Sequence, residues 1–445
     1  MKRVQFLVII LFCFVLTTSC NKDEKELPQM EESGENEEEP TEEEPDNEEP
    51  DDNSESNVSP FGDNPILMEY SPPVNGEEGD TSGSAIALSG DGGTMIVGSP
   101  GADVTAGTSG GLVRVYNHNG GWGEFGLALE SPQANKNFGT AVSLNEAGTI
   151  LAIGDSASHL SGESLSGMVR IFLLSGGAWK QHGNDIYGVA KSNGCGFSVA
   201  LSASGNRIVA GSPYNDDVAE DAGHVRVFDL VGNTWQQVGN SIEGTSKNDL
   251  FGKAVAISDD GETIAVGGSD VGSVSIYKII NGIWTEKGNG ISSGTTELNR
   301  NAIALSGNGN TLAIGADRVN SNKGRVRIYQ YENDTWVAKG SAIDGLEAGD
   351  RFGNAVGINQ NGSVVVVGAE RSATNGNNAG ATSVFHYKNG NWKPIGDPIP
   401  GQKGSYQGFS VAINSKGDVV ASGAWAWSEL DNGSATGQVV SYKIE

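Results

Sequence analysis

The chain has 445 residues, more than one compact core usually holds, so several domains or an array of repeats is expected. Glycine is abundant, at 65 residues, without a collagen-like period, so it is assigned to turns and bulges. The net charge of −28, with no basic stripe anywhere, argues against nucleic acid as a partner.

The first 20 residues, MKRVQFLVIILFCFVLTTSC, carry two basic residues, a long apolar run and a small-residue end at Cys20. This is the layout of a secretory signal rather than of a domain core. The end resembles the lipobox of bacterial lipoproteins, although Thr17 stands where that family usually has leucine and Leu16 lies one place earlier. The resemblance implies lipidation (palmitate) on Cys20; a plain cleaved signal or a membrane anchor is the alternative. Each buried CH₂ of an acyl chain contributes about 0.8 kcal/mol, so several chains would hold the protein on a membrane by the lipid alone. The NKDEKE that follows Cys20 resembles the surface-export signal of Bacteroidetes-type lipoproteins, which implies an outer-membrane protein facing the exterior.

Residues 21–57 hold 18 acidic residues and two lysines, a net −16 of the chain's −28, and almost nothing apolar. Such a stretch cannot bury enough surface to fold, and self-repulsion extends it. It reads as a tether, with a cation- or partner-binding tail as the rival. At about 3.3–3.6 Å per residue it would reach on the order of 100 Å.

Residues 58–445 repeat with a period of roughly fifty-five, in the range of propellers and arrays. Seven units begin near TSGSAIALS (81), NFGTAVSLN (137), GCGFSVALS (194), LFGKAVAIS (250), LNRNAIALS (298), RFGNAVGIN (351) and YQGFSVAIN (406). Each unit reads as a short apolar strand, a turn such as GDGGT or NQNGS, and a second apolar strand such as TMIVGSP. A polar loop, an alternating third strand such as GLVRVYNHNG and a fourth strand opened by Trp complete it. Four antiparallel strands repeated seven times predict an all-β, seven-bladed β-propeller. A linear solenoid would want capping units, and none is visible. The seventh unit stops after its third strand, while ILMEYSPPVNGEEGD precedes the first. Residues near 65–75 are therefore expected to supply the last blade's fourth strand and close the ring.

The Phe-Gly pairs at Phe138–Gly139, Phe251–Gly252 and Phe352–Gly353, with Gly-Ser-Pro at 98–100 and 211–213, resemble the FG-GAP repeats of integrin α-subunit propellers. The resemblance spans the whole repeat region and implies the fold far more than any one function. It departs in one respect. The family often carries a D-x-D-x-D-G calcium loop between the first two strands, whereas these turns are short and lack three alternating acids, so no repeat calcium site is expected.

Function is sought where the units differ. Trp122, Trp179, Trp235, Trp284, Trp336 and Trp392 keep register and read as packing. Trp425 and Trp427, in GAWAWSELDNG, break it. On an extended strand they would share one face and could stack on a sugar ring or a peptide; the alternative is that they cover the closure of the ring. Loops after the second strands and connections between blades belong to one face, which gathers Tyr214, Asp216, Asp217, Arg318, Arg371, Trp425 and Trp427 with Arg300, Arg351 and Tyr406 as candidate binding residues. Arg300 stands where other units have glycine and could take a carboxylate or sulfate; repeat drift explains it as well. The acidic loop Tyr214–Gly223 lacks metal-ligand spacing, as do the five histidines, so neither metal nor cofactor is expected. GTSGG (107–111) sits in a glycine-rich loop rather than a strand-to-helix elbow, so it is no nucleophile. Cys195 replaces a repeat Phe and reads as buried filler.

The reading is a monomeric cell-surface binding or scaffold lipoprotein whose propeller takes a polysaccharide or a surface protein, and which touches the membrane through its lipid only. A polysaccharide-active enzyme, lyase or glycosidase, and a structural envelope component are the alternatives.

Overall fold

The computed structural model describes residues 61–62, 64–134, 136–158, 165–268, 273–292, 302–428 and 435–445; Cys20, the acidic stretch 21–57 and Arg300 fall outside them. The described residues form seven antiparallel sheets built on four principal strands each, the blades of a propeller. Blades 1 to 7 open with Ala85–Leu88, Ala141–Leu144, Ser198–Leu201, Ala254–Ile257, Ala302–Leu305, Phe352–Ile358 and Ser410–Ile413. Second strands such as Ile150–Asp155 and Val364–Ala369 are buried along their whole length, which is why they read as unbroken apolar runs.

One turn chemistry sets the register of the first hairpin in every blade. A Ser or Asn closes the first strand, and its side chain accepts the N–H that opens the second. Asn145 Oδ1 takes Ile150 N–H at 2.8 Å, Ser89 Oγ takes Thr94 N–H at 2.9 Å, and Asn414 Oδ1 takes Val419 N–H at 3.0 Å. Asp91 and Asp260, two of the acids in these turns, accept hydrogen bonds from Ser89 and Ser258.

The fourth strands differ from expectation. In blades 1 to 5 the Trp-led strand stops and a second two-residue strand, such as Ile242–Glu243, pairs further along the third strand. A glycine in the left-handed region lies at each break, for example Gly239 at φ +71°, although Gly396 of blade 6 has φ +63° inside an unbroken strand.

The ring closes as predicted. Leu67–Asn75 pairs antiparallel with Gln438–Ile444 as the outer strand of blade 7, from Leu67 opposite Ile444 to Asn75 opposite Gln438. Register shifts bracket Tyr70 and the two prolines Pro72 and Pro73, which an outer strand tolerates because no neighbour needs their missing N–H. Across the seam, Tyr70 stacks on His118 with centroids 3.9 Å apart, and Trp122 of blade 1 donates Nε1–H to Ser441 Oγ of blade 7 at 2.9 Å.

The core lies between blades. Ile264 and Val266 of blade 4 pack on Val209, Val225 and Val227 of blade 3, and Met95 and Val97 of blade 1 pack on Val419, Ala421 and Val439 of blade 7. The repeated glycines make this contact possible. A Cβ on Gly98 would lie 2.0 Å from the carbonyl oxygen of Gly139 in blade 2, and one on Gly423 would lie 2.1 Å from that of Gly83. The in-register tryptophans staple the outer rim: Trp235, Trp284, Trp336 and Trp392 donate Nε1–H to the carbonyls of His182, Val238, Lys287 and Lys339, each in the preceding blade, at 2.7–3.0 Å. Phe138 and Phe352 are buried between blades, and Cys195 fills the same place in blade 3.

Candidate functional site on the inter-blade face

Topology puts the loops between second and third strands at the same end of the blades as the connections from one blade to the next. A repeated turn anchors those loops. The residue four places after the second strand's glycine donates its N–H back to the strand end, and its carbonyl accepts the N–H of the glycine before the third strand. Ala102, Ser158, Asn215 and Ser372 do this in blades 1, 2, 3 and 6. Trp427 holds that position in blade 7, with its N–H on the carbonyl of Ala424 and its own carbonyl taking Gly437 N–H at 2.9 Å, and it is only 8% exposed. The strand ends at Ala424 and turns at residues 425–426, so the two tryptophans do not share the face of an extended strand. Trp427 closes a loop; Trp425 takes the place that proline has in blades 1 and 3.

Trp425 is half-buried against two aromatic rings. Its centroid lies 5.5 Å from Tyr406 and 6.0 Å from Phe409, and among the described residues its buried Nε1–H has no acceptor. Tyr406 reaches this aromatic cluster from the blade 6–7 connection, with its hydroxyl accepting a hydrogen bond from Asn378 at 3.0 Å.

Beside this cluster lies a charged group on blade 6. Arg351 Nη1 donates to Glu370 Oε1 at 3.0 Å, and Arg371 Nε stands 4.0 Å from the same oxygen. Glu370 is 3% exposed, whereas the Arg371 side chain is 46% exposed and keeps donors for solvent or a ligand. Two guanidiniums flank one buried carboxylate, and Asp350, beside Arg351 in the chain, takes Arg371 N–H on its carbonyl at 3.2 Å. Asn354 joins the two groups: its Oδ1 accepts Glu370 N–H at 2.9 Å, and its Nδ2 donates to the carbonyls of Gly408 and Phe409 in blade 7. Neither Glu370 nor Asn354 stood among the sequence candidates. The visible signal was the acid–base dipeptide Glu370–Arg371, which blade 5 also carries as Asp317–Arg318.

The backbone here is strained. Arg351 and Tyr406 both sit at φ +57°, and Asn320, Ser321 and Asn322 form three consecutive left-handed residues at φ +54°, +61° and +60°. Each such residue costs roughly 1–2 kcal/mol without glycine. The left-handed turn holds the blade 5–6 connection, with the carbonyl of Asn322 accepting Arg351 N–H at 2.8 Å.

The other candidates lie elsewhere. Arg318 is half-buried on blade 5, and among the described residues its Nε has no partner. Tyr214 packs edge-on against Phe197, in space that Gly194 leaves open, and burial followed by the charge of Asp221 raises its pKa. Asp216 accepts Asp221 N–H at 2.7 Å, and Asp217 bonds with Asn215, so the acidic loop largely satisfies itself. Blade 3 is three blades from the Arg351–Trp425 group, and the structure does not bring the two together.

The fold and its repeats define a seven-bladed β-propeller, an architecture that supports a binding or scaffold role at most. The FG-GAP repeat family matches residues 335–385, from the fourth strand of blade 5 through the third of blade 6. No curated protein matches the chain in sequence. Among solved structures it is similar to Kuenenia stuttgartiensis hydrazine synthase at 12% identity and a TM-score of 0.51, covering 78% of this chain and 94% of that one. It is also similar to a protein from Bacteroides uniformis ATCC 8492 provisionally described as a 6-phosphogluconolactonase, at 15% identity and a TM-score of 0.52, covering 72% of this chain and 86% of that one. At these identities the likeness is one of fold.

Proposed function

We propose that this is a surface-anchored binding protein whose propeller takes an acidic polysaccharide or an acidic segment of a surface protein at the lip of blades 6 and 7. The observation that carries this reading is the Trp425–Tyr406–Phe409 aromatic cluster joined through Asn354 to the Arg351–Glu370–Arg371 group. An aromatic face suits a sugar ring or an apolar side chain, and a half-exposed guanidinium suits a carboxylate or sulfate. The signal-like leader, Cys20 and the acidic stretch support presentation at a membrane surface.

The test is binding of the purified 58–445 region to an array of neutral and acidic polysaccharides, with product release assayed on the same polymers. Binding of acidic polymers, weakened about tenfold by Arg371→Gln or Trp425→Ala at unchanged thermal stability of the Arg371→Gln variant, is expected. Cleavage of any polymer would replace the binding reading with the enzymatic one.

A further inference from the structure

A cleft of about 420 Å³ opens between blades 5 and 6. Phe352, Phe385, Val384, Pro394 and Pro398 supply its apolar walls, with Leu346, 62% exposed, at the blade 5 side. The cleft sits at an irregularity in the outer strand of blade 6. There the fourth strand runs unbroken from Asn391 to Pro400, and Thr382 pairs with Ile399 while Val384 pairs with Ile395. Gly396, Asp397 and Pro398 therefore stand opposite the single residue Ser383, and all four line the cleft. Bulges of this kind re-aim side chains and recur beside binding sites.

The charge in the cleft has one sign. Its ionisable lining residues are Asp344, Asp350 and Asp397, and no lining residue is basic. Two of the three carboxylates are already engaged: Asp344 receives a two-pronged bond from Arg325, and Asp350 Oδ2 accepts Glu347 N–H at 2.9 Å. Asp397 is exposed and, among the described residues, has neither an ion-pair nor a hydrogen-bond partner. An apolar chamber near the lower end of the size of small-molecule sites, with one uncommitted carboxylate held by a bulge, selects for a cation with an apolar body.

We propose that the blade 5–6 cleft is a binding site for a small organic amine, its apolar part between Phe385, Pro394 and Leu346 and its ammonium on Asp397. This site borders the Arg371–Trp425 lip, since its lining residues Asp350, Ala369 and Ser372 flank Arg351, Glu370 and Arg371, and it is opposite to the lip in charge preference.

The probes are 4-phenylbutylamine, 4-phenylbutanol and 4-phenylbutyrate, which share a body and differ in charge, titrated calorimetrically against the 58–445 region at low salt. The expected order is amine, then alcohol, with the carboxylate weakest. Asp397→Asn should bring the amine down to the alcohol, about a threefold loss, the size of a solvent-exposed ion pair. Asp397→Lys should invert the order and favour the carboxylate. Asp397 is exposed, so both variants are expected to keep the parent thermal unfolding curve. Equal affinity for amine and alcohol in the parent protein, or an amine preference that survives Asp397→Lys, overturns the proposal. Neither outcome touches the lip site, whose ligands are acidic.

Discussion

In blade 3, His224 stands directly opposite Glu243, in the place where blade 5 pairs Arg325 with Asp344. The exchange turns a permanent ion pair into a conditional one. His224 is 1% exposed; Glu243 Oε2 lies 3.6 Å from Nδ1, and among the described residues neither ring nitrogen has a hydrogen-bond partner. Burial, then the charge of Arg226, pushes its pKa down to about 4, against a smaller upward pull from Asp217. The unfolded chain thus takes up this proton first as the pH falls. Stability from the neutral, buried ring is complete above about 6.5 and is lost as the pH falls through about 4, roughly 3 kcal/mol in all. Glu243, raised by burial and by Asp217, works with the opposite sign, since its contribution is present at low pH and fades as the pH rises through its raised value. The net acid loss is therefore smaller than the histidine alone would give. Blade 1 has Leu112 at this place, so His224→Leu is a natural replacement. Urea unfolding at pH 7, 5.5 and 4 should show a flatter decline for His224→Leu than for the parent; parallel declines would remove His224 from the account.

The tryptophans teach the same lesson at single positions. Their constant spacing showed that they pack, but not how deeply. Trp235 and Trp392 are buried, whereas Trp336 keeps part of its ring in solvent. Trp235→Ala should cost about 3–5 kcal/mol by leaving a void, and Trp336→Ala measurably less. Denaturant midpoints of the two variants at equal slope decide this; equal losses would mean that the Nε1 staple, which both make, outweighs burial.

Among the elements, the hairpin turns were the most legible, because one Ser or Asn and one glycine recur at fixed offsets and each does a definite backbone job. The outer strands were the least legible. A glycine inside GNSIEG is compatible with a bulge or a break, and only the neighbouring blade decides which. Blade 6 shows both outcomes are open to one repeat, since its IGDPIP carries a bulge where blades 1 to 5 break. The closing strand was legible from arithmetic: three strands at one end and a spare segment at the other. Removal of residues 58–78 should lower the thermal midpoint and broaden the transition, because Val74 leaves the seam and Val439 and Tyr442 lose their cover. An unchanged calorimetric trace for that truncation would show the strand to be dispensable.

For the molecule as a whole, the fold was written in the period, but the candidate site was not. Sequence could say which face carries Arg351, Arg371, Tyr406 and Trp425, since topology fixes that. It could not say that Asn354, inside an ordinary first strand, bridges the charged group of blade 6 to the aromatic group of blade 7, because that bond depends on how two blades meet. Nor could it separate Trp425 from Trp427, which differ only in where a turn begins. The anchor is tested on the whole chain: Cys20→Ala should move the protein from the membrane to the soluble fraction while its propeller unfolds at the parent temperature. Membrane association that persists in the variant, with no acyl label on the parent, would dismiss the lipid.

The pairing of Leu67 with Ile444 also fixes an order of events in time. Blades 1 to 6 are each complete once their own stretch of chain has been made, so they can form one after another during synthesis. The seventh cannot. Its outer strand is among the first parts of the propeller to emerge and its partner among the latest, so Leu67 and Val74 stay uncovered until residues 438–444 have been made. A newly made molecule therefore spends the interval as an open arc with two unmatched edges, and a second nascent arc could satisfy them as readily as its own far end.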